Sequence, residues 1–156
     1  YDKFYDAVRG GGSLEYIENM RDEMVYAIQQ GLGEIAKIQT LAVLVTFVAG
    51  PWLLDALGIS RLYLPLLYVQ VVGAGLQVGL MAVLNVFFYL DQRRTVLLLC
   101  AMFVLLNVVL TGFTLAFGAA LYGYGFALAT LLTLATGVWL LSRRLHRLEY
   151  QTFMLQ

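Results

Sequence analysis

Three carboxamide side chains lie within the long apolar run from Arg61 to Arg94: Gln70, Gln77 and Asn85. An amide placed in hydrocarbon is costly unless its donors and its acceptor find partners. On a helix, Gln77 and Asn85 lie about −20° and about +60° from Gln70, so the three share an arc of roughly 80°. The spacing therefore predicts a membrane helix with one polar face turned inward, as a candidate lining of a solute path.

Polar side chains recur at helical spacing in the two apolar runs that follow. Asn107, Thr111 and Thr114 form one narrow stripe, and Thr130 and Thr133 lie about 60° apart on another helix. Neutral donors and acceptors of this kind suit a carbohydrate, whose hydroxyl groups need both, and suit an ion much less. The alternative is structural, because threonine often bonds back to its own helix and amides join neighbouring helices. Both interpretations stay open.

No set of residues resembles a catalytic or metal-binding constellation. The apolar runs contain no carboxylate pair and no Ser/His/Asp set, and His146 has no second ligand at metal spacing. Asp55 stands near the end of an apolar run, where pairing with headgroups or with Arg61 is the expected role and coupling-ion binding the alternative. We predict no enzyme activity, no cofactor and no metal.

The composition is that of an integral membrane protein. Hydrophobic residues make up 61% of the chain, against about 45–50% in soluble domains, and charged residues only 13%, against about 25%. The formal charge is zero, which offers no basic field for nucleic acid. The sequence starts at Tyr1 and opens with no signal peptide, so we expect it to be the C-terminal part of a longer protein.

Residues 1–37 are predicted to form a cytoplasmic hinge followed by an amphipathic helix at the interface. Ser13 suits an N-cap, so the helix should begin near Leu14, and Gly31 and Gly33 should bend it into an elbow where it meets the membrane. Its acidic side chains are candidates for docking a cytosolic partner, or they simply face water: Glu15, Glu18, Asp22 and Glu23.

Four transmembrane helices should follow in residues 38–141, with spans at about 38–57, 62–90, 95–118 and 122–141. The first is near the ~20 residues that cross a bilayer, and the second, about 43 Å long, must tilt or end irregularly. Gly50-Pro51 should kink the first span. Residues 142–156 form a basic tail. The predicted fold is an all-α polytopic membrane protein with four transmembrane helices and an N-terminal amphipathic helix.

The basic residues predict the orientation. Nine of the ten fall on the side of the two termini, and Arg61 alone falls on the other, which places both termini in the cytoplasm by the positive-inside rule. The residues expected to anchor this side are those of two short segments beside spans: Asp91, Arg93, Arg94, Arg143 and Arg144.

Gly75 and Gly79 form a G-x-x-x-G pair in the second span, and Gly73 extends it. Small residues at this spacing allow a neighbouring helix to approach closely. They would also permit helices to slide or bend during alternating access. We expect a packing role and leave the second interpretation open.

Three segments resemble the C-terminal part of the PelG family, exporters proposed for the Pel exopolysaccharide in the inner membrane of Gram-negative bacteria. They are Y-D-x-x-R-G-G-G-S-L-E-x-I at 5–17, F-F-Y-L-D-Q-R-R at 87–94, and R-L-E-Y-Q-T-F-M-L-Q at the end of the chain. The likeness spans essentially all 156 residues. It implies the last third of a transporter related to MATE exporters and polysaccharide flippases, with two helix bundles around a cavity.

The resemblance also implies an amino-sugar-rich polymer as substrate and a Pel-type synthesis complex as partner, comprising the glycosyltransferase PelF, the cyclic-di-GMP receptor PelD and PelE. It supplies no catalytic residue. We therefore expect an exporter that moves polysaccharide from cytoplasm to periplasm. The alternative is a non-transporting membrane scaffold, whose acidic helix recruits the cytosolic glycosyltransferase complex.

Overall fold

The chain folds into long α-helices joined by short turns. A computed structural model describes the backbone of residues 14–118 and 121–153, with the side chains of Glu23, residues 25–118 and residues 121–144. The elements are α1 (Leu14–Ala56), a 3-10 helix (Arg61–Tyr63), α2 (Leu64–Tyr89), α3 (Arg93–Ala116) and α4 (Tyr124–Phe153). No strand occurs within those described ranges. The predicted all-α class is confirmed, whereas the glycine-rich hinge and the turn at 119–120 lie outside the described residues.

Four stretches are long and apolar enough to cross a membrane: Val25–Ala56, Arg61–Tyr89, Arg93–Ala116 and Tyr124–Arg144. The predicted ends at 57, 62, 90, 95, 118 and 122 all lie within two residues of an end of α1, α2, α3 or α4. The turns contain residues with positive φ, namely Gly58 (66°), Asp91 (51°), Gly118 (108°) and Gly123 (87°), which a continuing helix does not accommodate.

Helix α1 runs through Gly31 and Gly33 without interruption, so the two glycines do not end the helix, and the predicted elbow stays a prediction. A glycine inside a helix costs only about 0.5–1 kcal/mol relative to alanine, which does not outweigh continuation of a long helix. The 43 residues of α1 measure about 65 Å, roughly twice the hydrocarbon thickness. Since Ala27 and Ile28 lie level with Tyr89 at the end of α2, the preceding turns of α1 extend beyond the bundle. The domain division at residue 37 stays a prediction.

Helices α2 and α4 form the centre of the bundle. Helix α4 contacts two neighbours. It packs along both α2 and α3, whereas α1 packs along α2, and α2 and α3 touch little although the short turn at 90–92 joins them. The buried apolar cluster brings α2, α3 and α4 together at Val83, Phe87, Val96, Leu99 and Leu141. We call this end of the bundle the arginine end, because Arg93, Arg94, Arg143 and Arg144 flank the cluster; the opposite end, with Pro51 and Arg61, is the proline end.

Large apolar side chains cover the outer surface of the bundle. Val48 is 84% exposed, Leu62 88% and Leu97 70%. A surface of this kind would be an aggregation hazard in water, but hydrocarbon solvates it. The exposed apolar faces therefore agree with four helices that stand in a membrane.

Candidate functional site

The three amides of α2 point out of the four-helix bundle. Gln70 and Asn85 are exposed and Gln77 is half-buried. The other residues of the same arc, Met81 and Phe88, are 58% exposed. The side chains of α2 that meet α4 lie on a different face, about 60–140° away from Gln70. The amides therefore do not lie on the face of α2 that meets α4, and their path-lining role stays a prediction. We call the arc of Gln70, Gln77 and Asn85 the amide face.

The far ends of the amide face have different neighbours. The Gln70 Nε2 atom lies 3.2 Å from the place that a Cβ on Gly123 would occupy, so this end touches the turn before α4. Asn85 instead borders a cavity of about 400 Å³ that α1 and α2 line together. Fifteen residues of helix place about 22 Å between the two positions. The amide face thus runs through most of the predicted membrane thickness.

The polar stripe of α3 lies against α4. The Thr111 backbone is so close to Gly125 that a Cβ there would stand 2.6 Å from the Thr111 Cα. Thr111 Oγ1 donates to Asn107 Oδ1 at 2.9 Å, and Thr114 Oγ1 donates to the Thr111 carbonyl at 3.0 Å. All three side chains are half-buried. The turn of Gly123 and Gly125 brings this stripe close to Gln70, and Asn85 lies apart from it.

Two threonines of α4 are fully buried. Thr130 and Thr133 donate at 2.8 Å to the carbonyls of Phe126 and Ala129, four residues earlier in the same helix. Their hydroxyls are satisfied within α4. These two residues follow the structural alternative, in which threonine fills the core and bonds to its own helix.

Gly75 and Gly79 face two different helices. A Cβ on Gly75 would lie 3.2 Å from the Gln39 Cγ of α1, and a Cβ on Gly79 would lie 3.4 Å from the Leu134 Cδ2 of α4. Gly73 approaches α4 more closely, with Phe126 ring atoms at 2.8 and 2.9 Å. The pair lets α2 sit between α1 and α4. A role in sliding stays a prediction.

Gln39 is a polar residue that the sequence reasoning missed. It is half-buried in α1 and packs on Gly75, and both it and the neighbouring Thr40 line a second cavity of about 350 Å³. The signal was present, since Gln39 is an amide at the start of an apolar run, like those of α2.

Tyr68 holds α1 at its proline. Pro51 has no N–H to bond the Phe47 carbonyl four residues earlier, and the Tyr68 hydroxyl donates to that carbonyl at 3.1 Å. The Tyr68 and Phe47 rings stack with centroids 4.3 Å apart and planes 9° from parallel. Gly50 makes room, because its missing side chain would stand 3.0 Å from Tyr68 Cε1. We call this contact the tyrosine clasp.

The ion pairs differ between the two ends of the bundle. At the proline end Arg61 holds Asp55 with two donors, Nε to Oδ1 at 3.0 Å and a second nitrogen to Oδ2, as expected for Asp55. At the arginine end Arg93 Nε pairs with Asp91 Oδ1 at 2.8 Å, and the Arg143 guanidinium lies 3.8 Å above the Trp139 ring. Arg94 and Arg144 are exposed at the same end.

Of the acidic docking candidates, the side chain of Glu23 alone belongs to the described part of the chain, and it is exposed. Those of Glu15, Glu18 and Asp22 lie outside the described residues. Among the residues that the structure does describe, no three His, Cys, Asp or Glu come together as metal ligands would.

Four membrane-length helices define a polytopic helical membrane protein, which carries an outward amide face and cationic turns. The chain belongs to the family described as "PelG: Putative exopolysaccharide Exporter (EPS-E)", whose family model matches residues 1–153. No curated protein and no solved structure matched in the corresponding searches. The predicted family is therefore confirmed, and with it a role in exopolysaccharide export at a membrane.

Proposed function

We propose that this chain is the second-bundle portion of an inner-membrane exporter, and that it moves an amino-sugar-rich, Pel-like polysaccharide from cytoplasm to periplasm. The observation that carries the proposal is the outward amide face of α2 in a chain of an exopolysaccharide exporter family. Exposed amides would be costly against lipid tails. They fit a wet cavity between two bundles, where donors and acceptors can contact sugar hydroxyls.

The side chains proposed to line the path belong to two helices. The amide face supplies Gln70, Gln77 and Asn85 along about 22 Å of α2. Asn107, Thr111 and Thr114 join it near Gln70, where the turn before α4 connects the two regions. In this arrangement the protein offers a series of weak, neutral contacts, which suits a polymer that has to keep moving.

The amide face is tested in the full-length protein by Gln70→Leu and Asn85→Leu, alone and combined. Each change replaces a hydrogen-bonding group with an apolar one of similar size on an exposed helix face, so helix packing should be preserved. We expect secreted polymer per unit of membrane-inserted protein to fall for each single variant and further for the pair. Secreted polymer is quantified with a lectin or by sugar analysis.

Gln30→Leu is the matched control, because Gln30 is an exposed amide of α1 away from the amide face. It should leave export unchanged. Export at the wild-type level from an equally abundant Gln70→Leu/Asn85→Leu variant would overturn the path. A secreted polymer that contains no amino sugars would overturn the substrate while leaving the path intact.

The proposed orientation places the arginine end in the cytoplasm. With Cys100→Ser as background, a cysteine at Gln92 reports the turn before α3, and a cysteine at Ser60 reports the turn before α2. An impermeant maleimide applied to spheroplasts should label the Ser60 position and spare the Gln92 position. The reverse labelling pattern would show that the chain has the opposite orientation in the membrane, so that its cavity opens in the opposite direction.

One observation favours the scaffold as a second candidate: α1 extends beyond the bundle before Ala27. We propose that this extension, with Glu15, Glu18, Asp22 and Glu23, contacts a synthesis complex of the PelF, PelD and PelE type. Reversal of the four acids to lysine should reduce co-purification of the complex. Unchanged recovery would remove the docking role, and unchanged export in the amide variants together with lost recovery would favour the scaffold.

A further inference from the structure

A continuous groove separates α1 from α2. Two adjoining cavities of about 400 and 350 Å³ share Leu32, Ile35 and Ala82 in their walls. A third, of about 240 Å³, shares Val72 and Leu76 with the second but lies mainly between α2 and α4. The groove formed by the first two cavities follows 17 residues of α1 from Ala27 to Leu44, about 26 Å, close to the hydrocarbon thickness of a bilayer. We call it the α1 groove.

The α1 groove is lined mainly by apolar side chains, and its polar members are Gln39, Thr40 and Asn85. Its α2 wall is built on Gly75, Gly79 and Ala82, whose small side chains leave the space open. These three residues lie about 120–180° around α2 from Gln70, whereas Asn85, at one end of the amide face, borders the groove. A hydrocarbon chain fits the apolar part of the lining.

Positive charge gathers at one end of the α1 groove. Leu32 and Leu90, both in its wall, pack against the buried cluster that contains Val96 and Leu141. Arg93 and Arg94 lie three and two residues before Val96, and Arg143 and Arg144 lie two and three residues after Leu141, so all four arginines belong to this end of the bundle. Asp91 faces Arg93 within it, and on α1 Lys37 pairs with Glu34 at 2.9 Å.

The opposite end of the groove offers no comparable charge. Within the described ranges, Arg61 is the basic residue of the proline end, and Asp55 neutralises it through two contacts. The groove is therefore asymmetric: hydrocarbon-like along its length and cationic at one mouth. A neutral helix would leave the arginines at the cationic end of the groove without a partner. A free anion would leave the apolar walls without one.

We propose that the α1 groove binds an anionic phospholipid, with one acyl chain between α1 and α2 and the phosphate at the arginine end. Guanidinium groups bind phosphate oxygens through paired donors, which favours arginine at such a site. One leaflet is about 15 Å deep, so the groove accommodates a whole chain in the leaflet next to the arginines. Lipid binding at this site assumes the same placement of the chain in the membrane as the proposed function does. It does not depend on the polymer or on its path.

The test measures lipid retention by native mass spectrometry of the full-length protein after incubation with equal amounts of phosphatidylglycerol and phosphatidylcholine. We expect phosphatidylglycerol to be retained in preference. Arg94→Gln/Arg144→Gln should lower its retention about thirtyfold, the size expected for two basic residues beside an anionic lipid. Ala82→Leu, which fills the groove without a change of charge, should lower retention of the same lipid while leaving elution as a single species.

Matched controls separate the groove from the general surface. Arg61→Gln removes a charge at the proline end, and Ala101→Leu adds the same volume on the exposed face of α3. Neither should change retention. Equal retention of both lipids by the unchanged protein, or equal losses in controls and test variants, would overturn the proposal. Inorganic phosphate that displaces the lipid as effectively as phosphatidylglycerol does would also overturn it, because the site would then bind free anion. None of these readings depends on polymer export.

Discussion

The two sides of α2 are packed by different means. Towards α4, glycines bring helices into direct contact and the residues between them are buried. Towards α1, the helices also pack along their length, but two cavities remain between them. The difference shows that the bundle has a tightly fitted part, α2 with α3 and α4, and a peripheral helix held at defined places.

Where α4 contacts α2 and α3, which we call the seams of α4, there is no room for a side chain at the following glycines. Gly125 meets the backbone of Thr111 at 2.6 Å, Gly73 meets Phe126 at 2.8 Å, and Gly137 meets Val83 at 3.1 Å, all measured from an added Cβ. Contact this close maximises dispersion between helices, which is a main source of association in hydrocarbon. We expect these seams to tolerate change poorly.

The seam of α1 depends on two points. The tyrosine clasp fixes it at the proline end, and Gln39 on Gly75 fixes it near the middle. Between and beyond them lie the cavities of the α1 groove. A helix attached in this way can shift without disturbing the core, which would suit a part that moves during transport.

The largest effect is expected for Gly125→Ala. The added methyl would overlap the Thr111 main chain, which cannot move aside without displacing α3, so we expect a loss of about 3 kcal/mol in the free energy of unfolding in mixed micelles. Gly112→Ala is the matched control, since no atom lies within 4 Å of its added Cβ. Similar stability in both variants would contradict the tight α3–α4 seam.

The clasp is tested by a double-mutant cycle on Tyr68 and Pro51. Tyr68→Phe leaves the Phe47 carbonyl without a donor, at an expected cost of about 2 kcal/mol in the same measurement. Pro51→Ala restores a main-chain N–H at the position that bonds this carbonyl. In the Pro51→Ala background, Tyr68→Phe should lower the free energy of unfolding much less than it does in the unchanged protein. The difference between the two losses is the coupling energy of the tyrosine clasp.

Additive effects in that cycle would show that the hydroxyl does not replace the missing proline donor. The stacked rings are not altered by Tyr68→Phe, so any loss in the single variant reports the hydrogen bond. Tyr63→Phe, at an exposed tyrosine of the 3-10 helix, controls for removal of a hydroxyl near the same end.

The sequence was informative about single helices. Glycine and Asp91 in the turns gave the helix ends within two residues, since such residues favour the φ values that stop a helix. The periodicity of Gln70, Gln77 and Asn85 correctly placed them on one arc. Gly31 and Gly33 lie inside α1, because the modest propensity cost of a glycine does not end a long helix.

What covers each helix face could not be read from periodicity. The amides of α2 were expected inside the four helices and point outside them, because a spacing argument identifies a face without identifying its neighbour. Gly75 and Gly79, about 40° apart, meet α1 and α4 respectively. Tyr68 and Phe47 are 21 residues apart in sequence, and no local pattern pairs them.

The smallest effect is expected for Gly75→Ala, and its sign opposes that of Gly125→Ala. The nearest atom is the Gln39 Cγ at 3.2 Å, part of a flexible side chain beside an open cavity, so the added methyl can be accommodated by a small shift. Alanine favours the helix by about 0.5 kcal/mol, and we expect a gain of that size in unfolding free energy. A loss as large as that of Gly125→Ala would show that α1 is fitted to α2 as closely as α4 is, and the peripheral helix would then belong to the rigid part of the bundle.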